Sequence, residues 1–176
     1  MPNISPQRPN PKNQVRGMIN RAQGKCFEDL IEQSCAWYLQ MRIAKIKKTP
    51  EPFHIIRNIG NGKFIGNFVK QAQPDFQGSI AGGCSVVFDA KSTQTDRIKQ
   101  SEVTKQQWED LNDHKAMGAE CFILVSFRME LFFAVPWETW RHMKELYDRK
   151  YMEVDDLIPF EVPFDGMKID FLRRKQ

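Results

Sequence analysis

The chain has 176 residues, 41% of them hydrophobic, and a formal charge of +4, which suits one domain with a real core and leaves nucleic-acid binding open. Its cysteines, at 26, 35, 84 and 121, form no Cys-x-x-Cys, and its histidines, at 54, 114 and 142, form no His-x-His or His-x-x-x-His, which argues against a zinc site. No apolar run approaches the length of a membrane span and no secretory apolar core opens the chain, so a cytoplasmic protein with reduced thiols and no membrane partner is expected.

Residues 1–20 contain Pro2, Pro6, Pro9 and Pro11 among Asn and Gln, with few large apolar side chains. Burial there does not offset ordering entropy, so a flexible arm is expected. The arm is basic: no acidic residue precedes Glu28, while Arg8, Lys12, Arg16, Arg21 and Lys25 do. Such charge attracts phosphate, or it merely keeps a tail soluble.

From Gly24 to about Met41, the apolar residues Phe27, Leu30, Ile31, Cys35, Tyr38 and Leu39 recur at helical spacing. Glu28 lies at the edge of this stripe, either supporting a metal site or complementing the helix dipole as a solvated first-turn residue. The next segment opens with a strand and is stopped by Pro50 and Pro52. Its Lys45, Lys47 and Lys48 form a DNA-facing patch or an ordinary solvated edge.

Residues 53–73 hold Phe53, Ile55, Ile56 and Ile59 before Gly60-Asn61-Gly62, and Phe64, Ile65, Phe68 and Val69 after it. Gly60-x-Gly62-x-x-x-Gly66 misses the dinucleotide-binding fingerprint by one residue and lacks its βαβ setting. With Arg57, Lys63 and Lys70 and no acidic residue, the segment suits a projection beside nucleic acid; a plain core strand pair is as simple an account.

Pro74 to Lys91 reads as a β-hairpin turning at Ala81-Gly82-Gly83, since adjacent glycines take the positive φ that a tight turn needs. Asp89 and Lys91, two apart on the second strand, share a face, and the hairpin can bring Asp75 beside them. Two carboxylates held together repel, and a divalent cation relieves the repulsion. Oxygen ligands suit Mg²⁺ or Mn²⁺, and the lysine can orient water or stabilise a phosphoryl oxygen. The simpler account is a surface hairpin with an incidental Asp–Lys pair.

Ser92–Ser101 is polar and expected as loop. A helix follows from about Glu102 to Met117, with Val103, Trp108, Leu111 and Met117 towards the core, ended by Gly118. Its Gln106 and Gln107 are either exposed or hold a water or phosphate oxygen. Cys121–Phe127 and Leu131–Val135 read as strands covered on both faces, then a helix spans Glu138–Tyr147. The rest is loop with a short closing strand and a basic end, Arg173-Arg174-Lys175. The fold class is therefore α/β, a mixed central sheet flanked by helices, with residues 21–176 as one domain.

A helix with an edge Glu, a hairpin carrying Asp and Asp-x-Lys, and a further helix is the layout of the PD-(D/E)xK nucleases. More narrowly, the chain resembles the RecU family of Holliday-junction resolvases within that superfamily. The resemblance is carried by Gly24-Lys25-Cys26-Phe27-Glu28, Lys47-Lys48-Thr49-Pro50, Pro74-Asp75-Phe76-Gln77-Gly78, Val87-Phe88-Asp89-Ala90-Lys91-Ser92-Thr93, Gln107 with Trp108 and Leu111, Cys121-Phe122-Ile123-Leu124, Ile158-Pro159 and Ile169-Asp170. It spans nearly the whole chain, in order.

The resemblance implies a homodimer that cuts four-way DNA junctions by paired nicks in recombination and repair. It implies Mg²⁺, with Mn²⁺ as substitute, held by Asp75 and Asp89, with the carbonyl of Ala90 expected to join them. Lys91 would serve the attacking water, with Glu28 and Gln107 supporting the site. Residues 53–73 would form a stalk entering the junction, assisted by the basic arm, and a recombinase is a candidate partner. Asp89 stands where the family usually has Glu, Phe76 where it usually has Tyr, and the stalk carries its own glycines, as suits a diverged or phage-carried copy. The rivals are a nuclease of the same fold acting on flaps or duplex, and a junction-binding protein that does not cut.

Overall fold

The computed structural model describes residues 11–50, 53–68 and 73–173. Helix α1 spans Pro11–Gln40, followed by strands β1 (Ala44–Lys48), β2 (Phe53–Gly60), β3 (Lys63–Phe68), β4 (Phe76–Ile80), β5 (Ser85–Thr93) and β6 (Arg97–Lys99). A 3-10 turn, Gln100–Glu102, leads to α2 (Lys105–Ala116), β7 (Glu120–Phe127), β8 (Leu131–Pro136), α3 (Trp137–Arg141), α4 (Met143–Tyr147), β9 (Tyr151–Glu153) and α5 (Val154–Leu157), then a second 3-10 turn, Ile158–Phe160.

The central sheet has the order β1-β4-β5-β7-β8. Only β5 and β7 pair in parallel, joined by the crossover through β6 and α2; the other neighbours are antiparallel. Alternation sorts the side chains into two cores. Val86 and Phe88 of β5, Phe122 and Leu124 of β7 and Phe132 and Ala134 of β8 pack with Phe27, Ile31, Cys35 and Tyr38 of α1. Val87, Cys121, Ile123, Val125, Phe133 and Val135 pack on the other face with Leu111 of α2 and Trp137 and Trp140 of α3. The unbroken apolar run of β7 follows from this double cover, with Phe122 to Val125 each fully buried.

The C-terminal segment clamps α1 onto the first core. Ser34 Oγ accepts from the Ile169 N–H (2.9 Å), and Tyr38 OH donates to Asp170 Oδ1 (2.8 Å) while accepting from the Leu172 N–H (3.0 Å). Between β1 and β4 the backbones come so close that only glycine fits at 78: a Cβ there would stand 2.1 Å from the Lys45 carbonyl oxygen.

Several expectations change. The helix begins at Pro11, so the arm expected over 1–20 is helical from residue 11; residues 1–10 lie outside the described residues. Residues 11–22 do carry a helical apolar spacing, Val15, Met18, Ile19 and Ala22, set among polar residues, and Pro11 suits the first position while Lys, Gln, Arg, Met and Ala favour the interior. Glu28 is accordingly mid-helix rather than in a first turn. Ser92–Ser101 is not a loop: β5 runs to Thr93, and β6 pairs with β9. Thr104, not Glu102, caps α2, and Met117 is 81% exposed because it is the C-cap residue, beyond the last helical turn. The helix expected over Glu138–Tyr147 is two short helices meeting at His142.

Residues 53–68 form a separate two-stranded sheet, β2–β3. Its turn holds Gly60, Asn61 and Gly62 at positive φ (84°, 51° and 72°), with the Gly60 N–H donating to Asn58 Oδ1. Ile55, Ile56, Ile59, Phe64 and Ile65 are each about half exposed (46–59%). With these side chains half in water, the pair is not a core strand pair. Val69 and Lys70 lie outside the described residues.

Candidate active site at the ends of β4 and β5

The turn of β4–β5 forms as its glycines require: Gly82 and Gly83 have φ of 94° and 93°, and the Gly83 N–H donates to the Ile80 carbonyl. At the opposite end the ladder stops at the Phe76–Phe88 pair. The next partner of Ala90 would be Pro74, which has no N–H to offer. The Ala90 carbonyl oxygen therefore gains no ladder donor from that position, while the Ala90 N–H goes to the Asp75 carboxylate, whose Oδ2 accepts it at 2.9 Å. In return the Asp75 N–H donates to Asp89 Oδ1 at 3.1 Å. These reciprocal bonds tie the two aspartates across the end of the hairpin.

Asp89 is fully buried. Its Oδ2 has no hydrogen bond but lies 2.7 Å from Lys91 Nζ, an ion pair without hydrogen-bond alignment. Lys91 Nζ also donates to Gln107 Oε1 at 3.4 Å. Gln107 is held in turn: its Oε1 accepts from the Thr104 N–H (3.1 Å) and hydroxyl (3.2 Å), completing the capping box of α2. Burial, and then the neighbouring Asp89 carboxylate, push the Asp75 carboxyl up to about 7, against the opposing pull of Lys91 and the Ala90 N–H.

The sheet plane divides the supporting residues. Asp89 and Lys91 share the parity of Val87 and face α2, whereas Lys48 shares the parity of Ala44 and Ile46 and faces α1. There Lys48 Nζ lies 2.6 Å from Glu28 Oε2, and this bond raises the lysine's pKa. Glu28 is thus engaged with Lys48 rather than with an aspartate, yet its charge is felt at Asp75. The Thr49 N–H donates to the Asp75 carbonyl oxygen at 2.8 Å, joining the Lys-Lys-Thr-Pro stretch to the site.

Among the described residues no three of His, Cys, Asp and Glu converge as a metal cluster. Two carboxylates do converge, one of them with a buried oxygen that lacks a hydrogen bond. In a strand a residue's N–H and C=O point the same way, so the Ala90 carbonyl faces the same space as its N–H. Mg²⁺ retains several waters and needs only one or two carboxylates, so this donor set fits it.

The other residues singled out in the sequence are more dispersed. Lys45 and Lys47 are exposed on the sheet face that carries Asp89. Arg57 and Lys63 are exposed on β2–β3, and Arg21 is exposed on α1. Lys12 and Arg16 fall within α1, while Arg8 and Lys70 lie outside the described residues. Phe76 is fully buried, stacked on Phe88 at 5.1 Å, with no part in the polar site. The sequence reading missed Thr104, although Thr104-x-x-Gln107 is a capping-box pattern, because the helix start was placed at Glu102.

The profile described as RecU: Recombination protein U matches residues 22–172. The chain is 27% identical over 128 residues to the Holliday junction resolvase RecU of Streptococcus oralis, covering 70% of this chain and 64% of that protein. It is 29% identical over 122 residues to the protein of the same name from Streptococcus sanguinis (strain SK36), covering 64% of this chain and 60% of that one. The match thus spans under two thirds of these relatives' length. Among solved structures, Archaeoglobus fulgidus Hjc, a Holliday junction resolvase, aligns with a TM-score of 0.44 and 12% identity over 72% of this chain and 88% of that one. No helix among the described residues is long and apolar enough to cross a membrane.

Proposed function

The chain belongs to the recombination protein U family, and from that premise we propose that it is a metal-dependent endonuclease resolving four-way DNA junctions by paired nicks. The observation that carries this reading is the Asp75–Asp89 pair tied across the end of β4 and β5 with Lys91 against it. Its relatives' name supplies the substrate.

Asp75, Asp89 and the Ala90 carbonyl would hold Mg²⁺, with Mn²⁺ able to replace it. When bound, the cation supplies Lewis acidity, lowering the pKa of water and offsetting charge on the scissile phosphate. The chain's own groups do the rest. Asp75 and Asp89 fix each other through their backbone and side-chain bonds. Lys91, held between Asp89 and Gln107, presents an ammonium to orient the attacking water and to stabilise negative charge developing on a phosphoryl oxygen. Gln107 and Thr104 hold that ammonium in place, and the Glu28–Lys48 pair lines the α1 side of the approach.

The basic residues Lys45, Lys47, Arg57, Lys63, Arg21, Lys12 and Arg16, with Arg8 and Lys70, supply phosphate contacts. The β2–β3 pair enters the open centre of the junction. Two matched nicks call for two sites related by a two-fold axis, hence a homodimer.

A panel of labelled junction, flap and linear duplex, each with Mg²⁺, tests the substrate. Paired nicks in the junction alone are expected. Equal cutting of all three would discard the junction and keep the nuclease. Binding without cutting, in Mg²⁺ and in Mn²⁺, would contradict the enzyme.

A further inference from the structure

Beyond Lys91, β5 continues to Thr93 and opens into a cleft of about 250 Å³ between its end and the N-terminal half of α1. Two of its lining atoms are buried without a hydrogen-bond partner: Ser92 Oγ and Gln23 Oε1. Leaving a buried polar atom unpaired is costly, so two of them lining one cleft point to a polar group that completes them. Ser92 Oγ can donate, and the Gln23 amide offers either a donor or an acceptor according to its flip.

The remaining lining states the charge of that group. Arg97 and Lys99 stand over the cleft against a single carboxylate, Glu102. The far wall is built rather than loose. The Thr95 N–H donates to Thr93 Oγ1 and Thr95 Oγ1 donates to the Arg97 carbonyl oxygen at 2.8 Å, while the Arg97 guanidinium lies 5.0 Å over the Tyr151 ring. Ser92 lies two residues past Ala90, about 7 Å along the strand. Ser92 shares the parity of Ala90 and turns to the α1 side, whereas Asp89 and Lys91 face α2; because β4 begins only at Phe76, a DNA strand running along the edge of β5 beyond that pair meets the aspartates and this cleft about one nucleotide apart.

We propose that this cleft, built from Ser92, Gln23 and Arg97, binds a non-scissile phosphodiester of the strand being cut and so sets where that strand lies over the carboxylate pair. The proposal deepens the endonuclease reading and rests on it. Ser92 and Arg97 are positioning residues here, since neither touches the scissile phosphate.

The test first maps the nick made by the wild-type chain with Mg²⁺. Junctions carrying a single uncharged methylphosphonate at each position within two nucleotides of that nick are then bound to Asp75→Asn protein. One position should weaken binding about five- to tenfold. The same position should have no effect once Ser92→Ala and Arg97→Ala are added, and the salt slope of log K should fall by about one phosphate's worth, 0.7–0.9. Arg97→Gln alone, at an exposed position, provides the same readout should the double change disturb folding. Indifference at every position, or unchanged sensitivity in the cleft variants, would overturn the proposal while leaving the endonuclease standing. A junction neither bound nor cut would remove the endonuclease reading, and this proposal with it.

Discussion

Both β2–β3 and β4–β5 are antiparallel pairs turned by two glycines at positive φ, Gly60 and Gly62 in one and Gly82 and Gly83 in the other. Their surroundings separate them. β5 lies between β4 and β7 with a core on each face, so Val86, Val87, Phe88 and Asp89 are each at most 1% exposed. Among the described residues β2–β3 has no third strand, and its isoleucines and Phe64 stand half in water. Burial gives the first hairpin a fixed, low-dielectric frame in which two aspartates perturb each other. Exposure gives the second an apolar surface that does little for folding, the surface assigned to junction contact in the proposed function.

The comparison is broken most severely at the carboxylates. Asp75→Asn should lower junction cleavage by about 10²–10³-fold or more, with binding kept or tightened because a negative charge near phosphate is removed. A change of similar size on the other hairpin, Phe64→Ser, should weaken junction binding while leaving the single-turnover nicking rate of bound junction near the wild-type value.

Next in size is the packing contrast. Phe88 stacks between Phe76 and Phe122, so Phe88→Ala should cost about 3–5 kcal/mol, read as a shift in the urea midpoint. Ile56→Ala, at 59% exposure, should stay within about 0.5 kcal/mol. A comparable loss at Ile56 would mean that β2–β3 is packed in solution.

The aspartate pair also predicts a pH effect when metal is removed by chelator. In the folded chain the Asp75 carboxyl is held up to about 7, against 3.8 ordinarily. Between those values the native state keeps a proton that the unfolded chain releases. Stability from this group is therefore fully present below about pH 4 and is lost as pH rises to about 7, by about 4 kcal/mol. Asp75→Asn should flatten that fall, and Mg²⁺ should raise the melting temperature at pH 8 more than at pH 5.

The smallest effect is at the cap. Thr104→Ala removes the hydroxyl half of the Gln107 capping box and should cost about 1 kcal/mol, with a further small drop in cleavage because Gln107, held only by the residue 104 N–H, steadies Lys91 less. Thr104→Ser should restore both.

How much of this was legible in the sequence follows from the same contrast. A helical apolar stripe forms where an element has one buried face, as in α1 from Phe27 onward, and an unbroken apolar run where a strand is buried on both, as in β5, β7 and β8, so these could be read directly. In the first turns of α1 the helical spacing of Val15, Met18, Ile19 and Ala22 is set among polar residues and next to the prolines that suggest an arm, and β6 and β9, at three residues each, are too short for a period to form. The pairing of Asp75 with Asp89 followed from the hairpin register. The engagement of Glu28 with Lys48, and of Gln107 with Thr104, depends on which side of the sheet each residue meets, a tertiary fact that spacing along the chain does not contain.

The most direct measurement is cleavage of a labelled mobile four-way junction in Mg²⁺ by the wild-type chain and by Asp75→Asn, with binding followed in parallel. Symmetric nicks by the wild type, absent in the variant while binding persists, are predicted. Cleavage by Asp75→Asn at the wild-type rate would contradict the assignment of the β4–β5 carboxylates as the active site.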